Sequence, residues 1–226
     1  MSELEQRPDA DAVVPPGDGE GADAAISDRR LLRGARSRRT IVRHAVDVAS
    51  LEGLGGLSLG RLATDLGISK SGVQTLFGTK ENLQAAAVEV ARDVFNDAVV
   101  HPAGTAPRGA ARVRALIERW IEYAEVPLFP GGCFWAANLA DFDSRPGRVR
   151  DALFHCRRDW RDLLGAELRH AADAGEIAEL DVDLAAFQID AVLIAANTAL
   201  RMGDEEAEGV VDKVRRVVEG LLAPPR

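Results

Sequence analysis

The stretch that most constrains this chain is SLGRLATDLGISKSGVQTLFGTKENL, residues 58–83. A hydroxyl residue stands ahead of each of three helix-length runs: Ser58 before Leu59, Leu62, Ala63 and Leu66; Ser69 before Val73, Leu76 and Phe77; and Thr79 before the run that opens at Lys80. A side-chain oxygen in that position accepts from the unpaired N–H groups of a first helical turn, and the apolar spacing puts one face of each helix toward a core. Gly67 and Gly78 follow the first two runs, where a left-handed residue ends a helix. Two short helices joined by Gly67-Ile68-Ser69 make a helix-turn-helix unit. Upstream, Ile41, Ala45, Val48 and Ala49 share a face of a first helix, with Ser37 as its expected cap and Gly53 as its stop. The glycine-rich run EGLGGLSLG lacks both the preceding strand and the spacing of a phosphate-binding loop, so it reads as a turn.

The rest of the chain repeats the helical pattern without an internal repeat. The fourth helix is expected over about 80–99 and is broken by HPAGTAPRG; others follow at about 108–125, 133–141, 147–174, 183–202 and 205–222. Alanine, leucine and valine dominate the apolar residues, and aromatics are only 5%, a mix that suits helix over sheet. The expected fold is therefore all-α with about nine helices. It divides into an acidic tail with a basic end over 1–34, expected to be disordered, a helix-turn-helix domain over 35–83, and a helical domain over 84–226.

The net charge of -8 is segregated. Residues 1–28 hold eight acids and one base, whereas residues 29–80 hold ten bases and three acids. Local charge decides which surface meets a polyanion, so nucleic acid belongs with the middle segment. No apolar run approaches the ~20 residues of a membrane span, and no signal segment opens the chain, so a cytoplasmic protein is expected. Cys133 and Cys156 make no disulfide framework; no histidine spacing suits a metal, and no nucleophile or acid–base motif appears, so neither an enzyme nor a cofactor is expected. Twenty-five arginines against three lysines, with abundant alanine, suggest a GC-rich bacterial genome.

Once its apolar residues are buried, the third helix leaves Lys70, Ser71, Gly72, Gln74 and Thr75 outside, with no acid among them. A surface meant for a DNA groove excludes carboxylates, because phosphates repel them and base edges need donors and acceptors. Gly72 costs roughly 1 kcal/mol against alanine inside a helix, which is consistent with close approach to another backbone. Taken together, RTIVRHAVDVASLEG, LSLGRLATDLGISKSGVQTLF and GTKENL resemble the DNA-binding domain of the tetracycline-repressor (TetR) family of bacterial regulators. The stretch GGCFWAANLADFDSRPGRVRDAL is similar to one subgroup of its ligand domains.

The resemblance implies that Ser58 donates to a phosphate, that Lys70, Ser71, Gln74 and Thr75 face the groove, and that Lys80 anchors on the backbone; Ser69 and Gly72 stand with them as expected DNA-binding residues. Where many relatives carry tyrosine and an aromatic or histidine, this chain has Gln74 and Leu76; Gln74 suits adenine, and Leu76 cannot hold a phosphate. Arg36, Arg38, Arg39 and Arg43 are either further DNA contacts or a solvated basic linker. The resemblance also implies a homodimer on a palindromic operator, paired through the last two helices. Ile189, Val192, Leu193, Ala196, Val214, Val217, Val218 and Leu221 are the candidate dimer residues, although such stripes serve equally as core. Aromatics concentrate between 120 and 160, either as plain core or around an effector pocket; the pocket reading places a small, largely apolar effector among Trp120, Cys133, Phe134, Asn138 and Trp160. The sequence thus reads as a ligand-responsive, DNA-binding transcriptional repressor, with a helical DNA-binding adaptor for a protein partner as the alternative.

Overall fold

Hydroxyl caps set the register of the first half of the molecule. Ser58 Oγ accepts from the Arg61 N–H, Ser69 Oγ from the Gly72 N–H and Thr79 Oγ1 from the Asn82 N–H, each at 3.1 Å. These caps open α2 (Leu59–Asp65), α3 (Lys70–Phe77) and α4, which begins as Lys80–Phe95. Gly67 (φ 63°) and Gly78 (φ 70°) end α2 and α3 in the left-handed region, where a side chain would be strained. The structure, a computed structural model, describes residues 19–203 and 209–225.

Helix α1 is Gly19–Glu52, and a 3₁₀ turn, Leu54–Gly56, joins it to α2. After α4 come α5 (Ala110–Glu125), α6 (Phe134–Phe142), α7 (Arg148–Asp173), α8 (Val182–Met202) and α9 (Val210–Leu221). The described residues hold these nine helices and no strand, an all-α fold.

Two element limits differ from expectation. Helix α1 starts at Gly19, not at Ser37, because the alanine-, leucine- and arginine-rich stretch before Ser37 favours helix and a cap residue only permits a start. Of the tail expected to be disordered, residues 1–18 lie outside the described residues. Helix α4 also runs past Val99, through a π turn (Asn96–Val100) to His101–Ala103. There His101 N–H donates to the Asn96 carbonyl, and this longer register keeps the chain helical up to Pro102, which has no N–H to give.

The chain divides into the units Met1–Ser37 and Arg38–Arg226. In the second, one buried apolar core runs from Ile41 to Leu222, crossing the boundary expected at 83/84. Helix α8 corrects another expectation, since by length and mean hydropathy (1.3) it is apolar enough to cross a membrane. Its buried face nevertheless carries Asp190, ion-paired to Arg157, and Asn197, whose Oδ1 accepts from the Cys133 N–H at 3.1 Å; these mark a core helix.

Candidate functional site

Helix α3 buries Val73 and Phe77 and leaves Lys70, Ser71, Gly72, Gln74 and Thr75 exposed. No acid lies in α3, and the carboxylates near it are engaged. Arg61 holds Glu52 through both guanidinium arms and reaches Asp65 at 3.5 Å, while His44 Nε2 lies 3.0 Å from the same Asp65 carboxylate. The Arg61 hydrogen bond lowers the Glu52 pKa, and the His44 bond followed by the charge of Arg61 lowers that of Asp65. The Ser69 hydroxyl accepts from both Gly72 N–H and Ser71 Oγ–H (3.3 Å), and a Cβ at Gly72 would stand 3.0 Å from that oxygen. The glycine thus has a reason inside the protein that sequence reasoning missed.

The basic residues divide into two groups. Lys70 and Arg39 are exposed, as is Arg36 in the preceding unit. Arg38 instead donates to the Leu76 carbonyl (3.1 Å) and stacks on Phe77, bracing the end of α3. Arg43 donates to the Leu128 carbonyl (2.8 Å), lies over Phe129 and faces Asp47 at 3.6 Å. Expected as a DNA contact, Arg43 instead clamps the helix-turn-helix to the loop after α5. Lys80 Nζ donates to the Gly55 carbonyl at 2.6 Å, so its ammonium braces the 3₁₀ turn. Gln74 Nε2 donates to the Gly78 carbonyl and Thr75 Oγ1 to the Ser71 carbonyl (2.9 Å), both within reach of their own helix.

In the second half, a cavity of about 200 Å³, partly open to solvent, lies among α4, α5, α6, α7 and α8. Phe95, Trp120, Trp135 and Trp160 supply aromatic walls; Cys133, Leu139 and Leu193 add apolar ones. The polar groups are Asp190 and Arg157, paired at 2.8 Å, with Asn96 from the π turn, Arg92 and Asp159. Three of the five expected effector residues, Trp120, Cys133 and Trp160, line this cavity. Phe134 is fully buried in the core beside it. Asn138 is also buried but has another role: its Oδ1 accepts from Leu54 N–H (2.6 Å), and its Nδ2 donates to the carbonyls of Phe134 (2.8 Å) and Ala49 (3.2 Å). It ties α6 to the turn that precedes α2. Sequence periodicity missed Phe95, Trp135, Arg157 and Asp190, which reach the cavity only once four helices converge. Burial raises the pKa of both thiols, Cys133 and Cys156, which keeps them protonated.

More contacts join the same two regions. Gln84 Nε2 donates to the Leu54 carbonyl (2.7 Å), and Gly131 N–H donates to Ser50 Oγ (3.0 Å). The loop 130–132 approaches α1 so closely that a Cβ on Gly131 would stand 1.9 Å from the Ser50 carbonyl oxygen.

The expected dimer residues are mostly turned inward. Ile189, Leu193, Ala196, Val214 and Val218 are buried in their own chain, Val192 and Leu221 are half-buried, and only Val217 is exposed. Helix α8 is apolar on two faces, and periodicity cannot say which one the core takes. Its outward stripe is Leu184, Phe187, Ala191, Ala195 and Met202.

Comparison with known proteins agrees with this architecture. Residues 109–217 match the family model described as tetracyclin repressor-like, C-terminal domain. No curated protein matches the chain. A TetR transcriptional regulator from Chloroflexus aurantiacus J-10-FL superposes with a TM-score of 0.77 at 20% identity, over 85% of this chain and 99% of that one. One from Cytophaga hutchinsonii gives 0.73 at 19%, over 85% and 98%. The regulator AibR, solved with isovaleryl coenzyme A and operator DNA, gives 0.65 at 19%, over 83% and 99%.

Proposed function

We propose that the chain is a member of the tetracycline-repressor family of transcriptional regulators, a ligand-responsive repressor that binds a palindromic operator as a cytoplasmic homodimer; the C-terminal family model matched over residues 109–217 supports this reading. The observation that carries the DNA half is the exposed, acid-free edge of α3, where Lys70, Ser71, Gln74 and Thr75 stand between the capped starts of α2 and α4. Helix N-termini and hydroxyls suit phosphates, and an acid-free helix edge suits the major groove. Ser58, Ser69 and Lys70 lie at those starts, and Arg39 adds positive charge. Gln74 reaches a base edge by giving up its bond to Gly78.

The concave, aromatic-walled cavity favours a small-molecule effector over a protein partner, as does the likeness to AibR, a regulator solved with isovaleryl coenzyme A. The route to DNA is short. Trp135 and Leu139 of α6 line the cavity, and Asn138 on the same helix holds Leu54 at the base of the helix-turn-helix. A ligand that shifts α6 moves that turn, and operator affinity falls by the ligand's preference for the shifted state.

The dimer forms through the outward stripe of α8 and Val217 of α9, not through the buried residues first expected. An exposed row of Leu184, Phe187 and Met202 is what a symmetric partner covers. Arg161 lies over Phe187, and its buried Nε has no hydrogen-bond partner among the described residues. Selection from a random duplex pool tests the reading: it should enrich an inverted repeat with half-sites about 10 bp, or a multiple of that, apart. A pool with no enriched sequence overturns it.

A further inference from the structure

The cavity among α4 to α8 carries an inference about its ligand, which rests on the effector-site reading above. Two of its polar groups are almost completely buried and incompletely used. Asp190, 4% exposed, accepts from Arg157 Nε at 2.9 Å and lies 2.8 Å from its Nη2, both through the same oxygen, Oδ2. Its Oδ1 has no hydrogen bond among the described residues. Trp120, also 4% exposed, lines the same cavity, and its indole N–H has no acceptor among the described residues. An acceptor and a donor without protein partners, on side chains that line a largely aromatic cavity, are the groups a bound molecule can complete.

Three further features narrow the chemistry. The walls are Phe95, Trp120, Trp135 and Trp160, with Phe95 meeting Trp160 edge to face at a centroid distance of 5.3 Å, an arrangement suited to a flat ring. The volume of about 200 Å³ falls below the ~300–1,000 Å³ of pockets for drug-sized ligands, so one or two rings fill it. The charged groups of the lining balance, with Asp190 pairing Arg157 and Asp159 standing against Arg92, so the cavity offers no net positive charge to an anionic ligand, and Asp190 leaves an oxygen that repels one. A hydroxyl is the smallest group that both donates to Oδ1 and accepts from an indole N–H.

We propose that this cavity takes a small, uncharged aromatic alcohol, with its O–H donating to Asp190 Oδ1 and its ring held among Phe95, Trp120, Trp135 and Trp160. Carboxylic acids and simple hydrocarbons of the same shape bind less well, the first repelled by Asp190 and the second leaving Oδ1 open.

Quenching of intrinsic tryptophan fluorescence reports binding directly, because all three tryptophans line the cavity. The probes are 2-naphthol, 2-methoxynaphthalene, which keeps the shape but has no donor, and 2-naphthoate. The full-length chain should bind 2-naphthol at least about tenfold more tightly than either of the others, the difference a hydrogen bond to a buried carboxylate makes. Asp190→Asn should reduce that preference over the methyl ether to within about threefold; if this variant does not fold, the comparison among the three probes decides by itself. Absence of 2-naphthol binding, or equal binding of the ether or the acid, overturns the proposal. The titration contains no DNA, so it bears on ligand class alone. Whether bound 2-naphthol changes affinity for a selected duplex tests the effector reading separately.

Discussion

Replacing Asn138 with alanine is the sharpest structural test of how the cavity helix is joined to the helix-turn-helix. The amide makes three bonds, but their loss is unequal. The carbonyl of Ala49 keeps the Gly53 N–H (3.0 Å), and that of Phe134 stays within helix α6, so neither is orphaned. The N–H of Leu54 has Asn138 Oδ1 as its partner at 2.6 Å and sits in a fully buried residue. An orphaned buried N–H costs about 1–3 kcal/mol. The void left by the amide adds on the order of 1 kcal/mol, for a total of about 2–4 kcal/mol. For a chain of this size, that lowers the melting temperature by roughly 5–15 °C, measurable by circular dichroism or calorimetry.

Asn138→Asp sharpens the test. It keeps an acceptor for Leu54 but aims a second oxygen at two carbonyls, so the folded protein favours the protonated acid and raises its pKa above the unfolded value of ~3.9. With a raised folded pKa, the variant is least impaired below ~pH 4 and loses stability progressively as pH rises above that value. An alanine variant that melts within about 1–2 °C of the parent, or an aspartate variant whose loss is the same at pH 4 and pH 7, would refute the account of this amide.

Other expectations follow from the same contacts. Gly131→Ala drives a Cβ into the Ser50 backbone and should destabilise the chain by about 2 kcal/mol or more, whereas Gly175→Ala, which meets no atom within 4 Å, should cost only the strain of its positive φ. Lys70→Ala should weaken binding to every duplex and flatten the log–log salt dependence by about one phosphate contact, while Arg43→Ala should lower the melting temperature and leave that slope unchanged. Phe187→Glu puts a charge on the exposed stripe of α8 and should yield monomers by sedimentation velocity; an unchanged dimer moves the interface elsewhere. The Arg215 and Arg114 partners hold the pKa values of Glu118 and Glu219 below their ordinary range. The stability from these exposed pairs, at most about 1 kcal/mol each, is present above ~pH 4.3 and is lost as pH falls through the lowered values, a loss that 1 M salt should shrink.

Local chemistry made the first half of the molecule legible. Ser58, Ser69 and Thr79 announce their helices because a cap needs only residues three positions away, and Gly67 and Gly78 need only their own backbone angles. Arginine roles were not legible, because Arg38 and Arg43 find their partners 38 and 85 residues away. The cavity was half-legible: aromatic clustering pointed to the region, but Asp190 reads in sequence as one polar residue in an apolar helix until Arg157 meets it. Asn138 stood out as a polar residue among aromatics, yet whether its amide serves a ligand or a backbone depends on a turn 84 residues away. The face of α8 that the core takes was not legible because the helix is apolar on more than one side, and only packing shows which side stays outside.

The central claim is that the edge of α3 enters the major groove twice, once from each chain of a symmetric pair. The direct measurement attaches a photo-crosslinker at Ser71, as Ser71→Cys, to the protein bound on its selected duplex and maps the crosslinked bases. Two symmetric sets of major-groove crosslinks, about 34–36 Å apart or at a multiple of that spacing, are the expected result. Crosslinks at one position only, or none on a duplex the protein still binds, would contradict it.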